Sequence, residues 1–252
     1  MTPDTDAHTE QPTLEGRKAI ITGGTTGIGR ATATLLASYG VDVFICGRDP
    51  QYLEDALHRI GEVGRGDGIA IDLADPDNVK RFFDAAHAYL GGLDIVVINA
   101  AIPAKGLTEM TEPDLRYAIA TDFTAYLLSA HAAAEALRGR GDIVLIGSMS
   151  AHKLAPGSTV YAGMKHGIQG FAEALRKELS TKGIKVSLIE PGKTGADFQY
   201  PQFSTEKQAK MINRDEMLRA EDIAVAVHYV LTQPQRAIVQ QLTIAPRMQP
   251  AE

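Results

Sequence analysis

The sequence predicts a doubly wound α/β fold, a parallel sheet of about seven strands with helices on both faces, and three observations carry that prediction. Apolar runs of strand type alternate with helical patterns from Lys18 to Ile244. No linker, repeat or low-complexity tract divides them, so one domain is expected. The first strand and helix are joined by the glycine-rich turn Thr22-Gly23-Gly24-Thr25-Thr26-Gly27-Ile28-Gly29. Glycine lets the chain turn tightly and lets a ligand approach the backbone. The following helix start presents unpaired N–H groups and partial positive charge, which suit a phosphate. In this strand–turn–helix context the loop reads as a Rossmann-type dinucleotide site.

Taken in order, Arg17–Ile21 reads as the first strand, and Arg30–Tyr39 as a helix closed by Gly40. Val41–Cys46 reads as the second strand, followed by a helix through Tyr52, Leu53, Ala56, Leu57 and Ile60 that Gly61 stops. Gly68–Ile71 is the third strand. Asp75-Pro76 opens a helix carrying Val79, Phe82, Phe83, Ala86 and Leu90, with proline fitting the first turn. Leu93–Ile98 is nearly all apolar, as expected of a strand covered on both faces. One long helical region is expected from Glu112 to Leu137, then a strand at Asp142–Ile146 and a helix at Ser158–Thr181. A strand at Ile184–Ile189, a polar and weakly helical stretch at Lys193–Arg219, a helix at Ala220–Leu231 and a last strand at Ala237–Ile244 complete the chain.

Composition narrows the function. The chain has 252 residues, 44% hydrophobic and 22% charged, which suits a soluble globular domain. A net charge of -6 gives no reason to expect nucleic acid or an anionic membrane as partner. No apolar run approaches a membrane span. Residues 1–15 read as a loose polar tail without the features of a secretion signal, and residues 16–252 as the domain. The single cysteine, Cys46, fits a reducing, cytoplasmic setting and reads as a buried strand residue. The histidines at 8, 58, 87, 131, 152, 166 and 228 show no metal-ligand spacing, so no metal is expected.

Chemistry is concentrated after the fifth strand. Tyr161 and Lys165 are four apart and share one helix face. An ammonium beside a phenol favours phenolate and lowers a tyrosine pKa from about 10, giving a general acid/base usable near neutral pH. Ser148 stands at a strand's carboxyl end, where ligands of such sheets bind, and could hold a carbonyl or alcohol oxygen. A Tyr/Lys pair on a helix is common, and a serine in a strand-end loop commoner still. The combination is informative.

The Thr-Gly-x-x-x-Gly-Ile-Gly spacing, with Gly23, Gly27 and Gly29, and Ser148 thirteen residues before Tyr161-x-x-x-Lys165 resemble the short-chain dehydrogenase/reductase family over almost the whole chain. The resemblance implies that Tyr161 is the proton donor and acceptor. Lys165 tunes it and holds the nicotinamide ribose, and Ser148 orients the substrate oxygen. Thr25, Thr26 and Ile28 fall in the cofactor loop. Asp72-Leu73 resembles the pair beside the adenine ring, Asn99-Ala100-Ala101 the motif after the fourth strand, and Pro191-Gly192 the pair on the nicotinamide side. The threonine that usually follows is displaced, and Thr194 is the substitute. Asp122 stands where the family has an asparagine that works largely through its backbone carbonyl.

The end of the second strand bears on the cofactor. NAD enzymes place an acidic residue about twenty residues after the loop. Here Gly47-Arg48 stands there, so no charge repels a 2′-phosphate, and arginine can pair with it through a planar fork of donors. NADP(H) is therefore expected, against the alternative that Arg48 is a solvated surface residue. Ser150 and His152 lie in the loop bordering the substrate. His152 and Lys153 could meet an acidic or polar substrate, or be plain loop residues. Residues 193–219 are expected to form the substrate lid. The resemblance further implies a homotetramer through Glu112–Leu137 and Ser158–Thr181, with Ala118, Ala125, Ala130, Ala132, Ala133, Ala134, Ile168 and Phe171 as candidate contacts. The expected function is an NADP(H)-dependent interconversion of a secondary alcohol and a carbonyl, of ketone or 3-oxo acid type. The alternative is a dinucleotide-binding or sensing protein on the same fold.

Overall fold

The computed structural model describes residues 11–152, 154, 156–195 and 203–248. Its strands are β1 (Lys18–Ile21), β2 (Asp42–Gly47), β3 (Gly66–Ala70), β4 (Ile95–Ile98), β5 (Gly141–Ile146), β6 (Ile184–Pro191) and β7 (Gln241–Ile244). Between them run α1 (Gly27–Ser38), α2 (Pro50–Gly61), α3 (Pro76–Leu90), α4 (Glu112–Ile119), α5 (Ala125–Ala136), α6 (Thr159–Ser180), α7 (Thr205–Asn213) and α8 (Ala220–Leu231). The seven strands form one sheet in the order β3-β2-β1-β4-β5-β6-β7, with every pairing parallel. Strand order reverses between β1 and β4. At such a switch point the connecting helices leave to opposite faces and open a crevice at the strand ends.

Alternation along the strands builds two apolar layers. Val96 and Ile98 of β4 face one cluster with Phe82, Ala130 and Ile168 from α3, α5 and α6. Ile95 and Val97 face the other, with Leu36, Ile60 and Val227 from α1, α2 and α8. All four β4 residues are therefore buried, as a strand covered on both faces requires. Each fully buried branched or aromatic side chain contributes roughly 1.5–3 kcal/mol. Local signals agree with the layers. Asp49 and Asp75 cap α2 and α3 by accepting from Gln51 N and Asp77 N, with Pro50 and Pro76 in the first turns. Gly91, in the left-handed region at φ +66°, ends α3.

Several boundaries differ from the sequence expectation. Helix α1 begins at Gly27, inside the glycine loop, so the loop and helix N-terminus are one structure. The expected helix Glu112–Leu137 is broken by a widened π turn at Ala120–Thr124, in which Ala125 N bonds Ala120 O. β7 is shorter than expected, and the expected lid contains the regular helix α7. Leu14, within the expected tail, is buried against Ala19, Val41 and their neighbours. Residues 1–10 lie outside the described residues. So do Phe198, Gln199, Tyr200 and Gln202 of the expected lid.

Candidate active site

A cavity of about 430 Å³ opens at the carboxyl ends of the strands. It is lined by Gly23, Thr25, Thr26, Gly27, Ile28, Arg48, Asp72, Leu73, Asn99, Ala100, Ser148, Ser150, Tyr161, Lys165, Pro191 and Gly192. These expected site residues come from seven separate segments of the chain, and the fold brings them together. Gly29, Asp122, His152 and Thr194 do not line it.

Each segment is placed by bonds the sequence makes locally. Gly23 takes φ +64°, and a Cβ there would lie 2.8 Å from Ala100 Cα. A Cβ on Gly29 would run into the carbonyl of Gly23 and the amide of Asn99. These two glycines are thus required by close approach of the loop to the end of β4. Asn99 fastens that approach: its Nδ2 donates to Thr22 O (3.1 Å) and Gly23 O (3.2 Å), while Thr22 Oγ1 accepts from the backbone N of Asn99 and Ala100. Asn99 therefore shapes the cradle with its side chain. The resulting loop, with backbone exposed to the cavity at a helix N-terminus, fits a pyrophosphate.

At the end of β2, a side chain on Gly47 would collide with Thr25. Arg48, exposed, donates from Nη1 to Tyr117 Oη at 2.6 Å, and Tyr117 donates to Asp72 Oδ2 at 2.7 Å. Cys46 is buried, and burial pushes its thiol up to about 12, which keeps it unreactive.

On the other side of the cavity, Ser148 is buried at the end of β5 and caps a short 3₁₀ turn, Met149–Ala151. Its Oγ accepts from Ser150 N at 3.1 Å, which leaves the hydroxyl's one proton to donate elsewhere. Lys165 is fully enclosed. Its Nζ lies 5.5 Å from the Tyr161 ring centre and 5.0 Å from that of Tyr126, and donates to Ile146 O at 3.3 Å. Burial lowers the Lys165 pKa, and the nearby Asp122 carboxylate opposes that fall. Tyr126, completely buried, donates to the same Ile146 carbonyl at 2.9 Å and so supports the strand end under the lysine.

Asp122 lies in the π turn and is fully buried. Oδ1 accepts from Ile102 N at 2.8 Å, while Oδ2 has no hydrogen-bond partner. Burial raises its pKa to about 6 against the pull of Lys165. The widened turn changes which backbone carbonyls are bonded, because the Ala120 carbonyl is taken by Ala125 N. Thr194 is buried, with Oγ1 donating to Gly192 O at 3.1 Å, so its hydroxyl braces the Pro191-Gly192 turn. His152 pairs with the buried Glu190 at 2.9 Å and thereby ties the loop after β5 to β6.

Tyr117, Tyr126 and Glu190 escape sequence reading. Each acts through a partner more than fifteen residues away, and none stands in a recognisable pattern.

The family model for the short chain dehydrogenases matches residues 17–207, which include the loop, Asp122, Ser148, Tyr161 and Lys165. The chain belongs to that family. An uncharacterized oxidoreductase of Staphylococcus aureus (strain USA300) is 28% identical over 239 residues, covering 92% of this chain and 98% of that protein. A short chain dehydrogenase from Burkholderia cenocepacia J2315, solved in complex with NADP, superposes with a TM-score of 0.83 at 31% identity, covering 93% of this chain and 98% of that one. One from Mycobacterium paratuberculosis, solved bound to NAD, has a TM-score of 0.80 at 26% identity, covering 93% and 98%. As a short-chain dehydrogenase the chain is an oxidoreductase with a nicotinamide dinucleotide site and a small-molecule substrate. The two ligands of its structural neighbours leave the choice of dinucleotide to its own residues. None of its described helices is long and apolar enough to cross a membrane.

Proposed function

We propose that this chain interconverts a secondary alcohol and a carbonyl compound, of small ketone or 3-oxo acid type, using NADP(H). The observation that carries the reading is the convergence of Ser148, Tyr161 and Lys165 in the cavity that also holds the glycine cradle. The bound dinucleotide supplies the hydride. Tyr161 gives its phenolic proton to the carbonyl oxygen in reduction and takes it back in oxidation. Ser148, with its oxygen engaged by Ser150 N, donates to the same substrate oxygen. Lys165 places a positive charge beside the phenol, and the carboxylate of Asp122 offsets only part of the lowering that burial imposes on it. Lys193 lines the cavity and gives a cation for the acid group of a 3-oxo acid.

Support for NADP(H) comes from the end of β2. An acidic side chain at position 47 is excluded by Thr25, and Arg48 lines the cavity beside it. The test compares kcat/KM for NADPH and NADH in the wild type and in Arg48→Ala, with a panel of carbonyl compounds. Wild type is expected to prefer NADPH, and the variant to lose tenfold or more of that preference. A wild type that prefers NADH, or an unchanged preference in the variant, overturns this assignment.

The reading includes a homotetramer. Of the candidate contacts, Ala118, Ala125, Ala130, Ala133 and Ile168 are consumed by the chain's own core. Ala132, Ala134 and Phe171 stay only partly buried, as do Phe123, Leu127 and Leu128, and these side chains remain to meet a second copy.

A further inference from the structure

Arg48 stands at an exposed strand end, where a long flexible side chain would sample many rotamers. Restricting such a side chain costs up to ~2 kcal/mol, and that cost weakens any ligand it must clamp. In this chain the restriction is already made. Arg48 Nη1 donates to Tyr117 Oη at 2.6 Å, and its guanidinium carbon lies 5.8 Å from the ring centre. The same hydroxyl donates to Asp72 Oδ2 at 2.7 Å. Asp72 is itself held: its Oδ1 accepts from Ala74 N, and its carbonyl accepts from Asn78 Nδ2. The anchor is thus the turn after β3, and the phenol reaches it from the last turn of α4.

We propose that Tyr117 is a positioning residue for cofactor choice, its hydroxyl bridging Arg48 to Asp72 so that the guanidinium is held ready for an adenosine 2′-phosphate. The proposal rests on the NADP(H) reading above. Its chemistry lies in the spacer. A carboxylate paired directly with Arg48 would cancel the guanidinium charge and set an anion beside the phosphate. Here a neutral phenol separates the two. Burial, and then the bond to Asp72, raise the Tyr117 pKa, so the spacer stays neutral at working pH. One phenol oxygen accepts one of the five N–H donors of Arg48, and the rest of the planar fork is directed elsewhere.

The test is the Kd of NADPH and of NADH for wild type, Tyr117→Phe, Arg48→Ala and the double variant, with kcat at saturating NADPH. Phenylalanine keeps the half-buried ring and removes only the bridging hydroxyl. Tyr117→Phe is expected to raise the NADPH Kd about five- to tenfold, leave the NADH Kd within twofold, and leave kcat unchanged. In the Arg48→Ala background it is expected to have no further effect. Equal weakening of both dinucleotides would show a merely structural role and overturn the proposal. So would an unchanged NADPH Kd, or an effect that persists without Arg48. A wild type binding NADH more tightly would instead overturn the NADP(H) reading, and the wild-type measurements alone show it.

Discussion

Replacing Asp122 by asparagine isolates one ionisation in the buried centre of the site. The wild-type carboxyl is raised from 3.8 to about 6, chiefly by burial. That is about two pH units, equivalent to roughly 3 kcal/mol. The native state therefore holds this proton more tightly than the unfolded chain does. Between about pH 4 and pH 6 the unfolded state releases it first, so wild-type stability falls as pH rises. The cost is nearly absent below pH 4 and complete above about pH 7. Asparagine cannot ionise, yet its Oδ1 can still accept from Ile102 N as Asp122 does. The asparagine variant should therefore gain on the wild type by about 2 kcal/mol between pH 4 and pH 7. The buried amide that asparagine adds has a fixed cost of about 1–3 kcal/mol if unpaired. That cost is independent of pH and cancels in the difference. Urea unfolding of both proteins at closely spaced pH values reads this directly. A stability difference that stays flat from pH 4 to pH 7 would refute the reasoning. In the same variant kcat should stay within a few fold, because the π turn and its backbone carbonyls do not depend on the charge. A hundredfold change would show that the carboxylate itself acts in turnover.

Gly29→Ala should lower Tm by several degrees and weaken NADPH binding at least tenfold, since the added methyl meets the Gly23 carbonyl and Asn99. Wild-type values in thermal melting and titration would show that the loop can yield. Light scattering at micromolar concentration should give the mass of four chains. A monomer would remove the proposed assembly.

Much of the fold was legible because its signals are local. Pro76 after Asp75 and the all-apolar β4 mark their elements without reference to anything distant. The glycine loop and the Ser148, Tyr161 and Lys165 set were legible for a related reason: their spacing along the chain matches a fixed strand–turn–helix geometry. The π turn left no mark, since a single widened turn barely shifts the apolar period of Glu112–Leu137. The bonds by which the Thr194 and Asn99 side chains brace the backbone lining the cavity were not legible, because they need partners that the fold supplies. The small residues of α5 looked available for an interface, but Ala125, Ala130 and Ala133 fill the space beside β4 and β5. Tyr117 and Tyr126 sit at unremarkable helical positions, and their roles exist only once Asp72 and Ile146 are brought beside them.

The central claim is that Tyr161 moves the proton in a carbonyl–alcohol interconversion that uses NADPH. Tyr161→Phe keeps the ring and removes the group that carries the proton. Titration of NADPH and NADPH oxidation with a carbonyl substrate accepted by the wild type should be measured on the same preparation. The account predicts NADPH affinity within a few fold of wild type and turnover reduced by at least a thousandfold, about 4 kcal/mol in the barrier. Turnover within tenfold of wild type would contradict it.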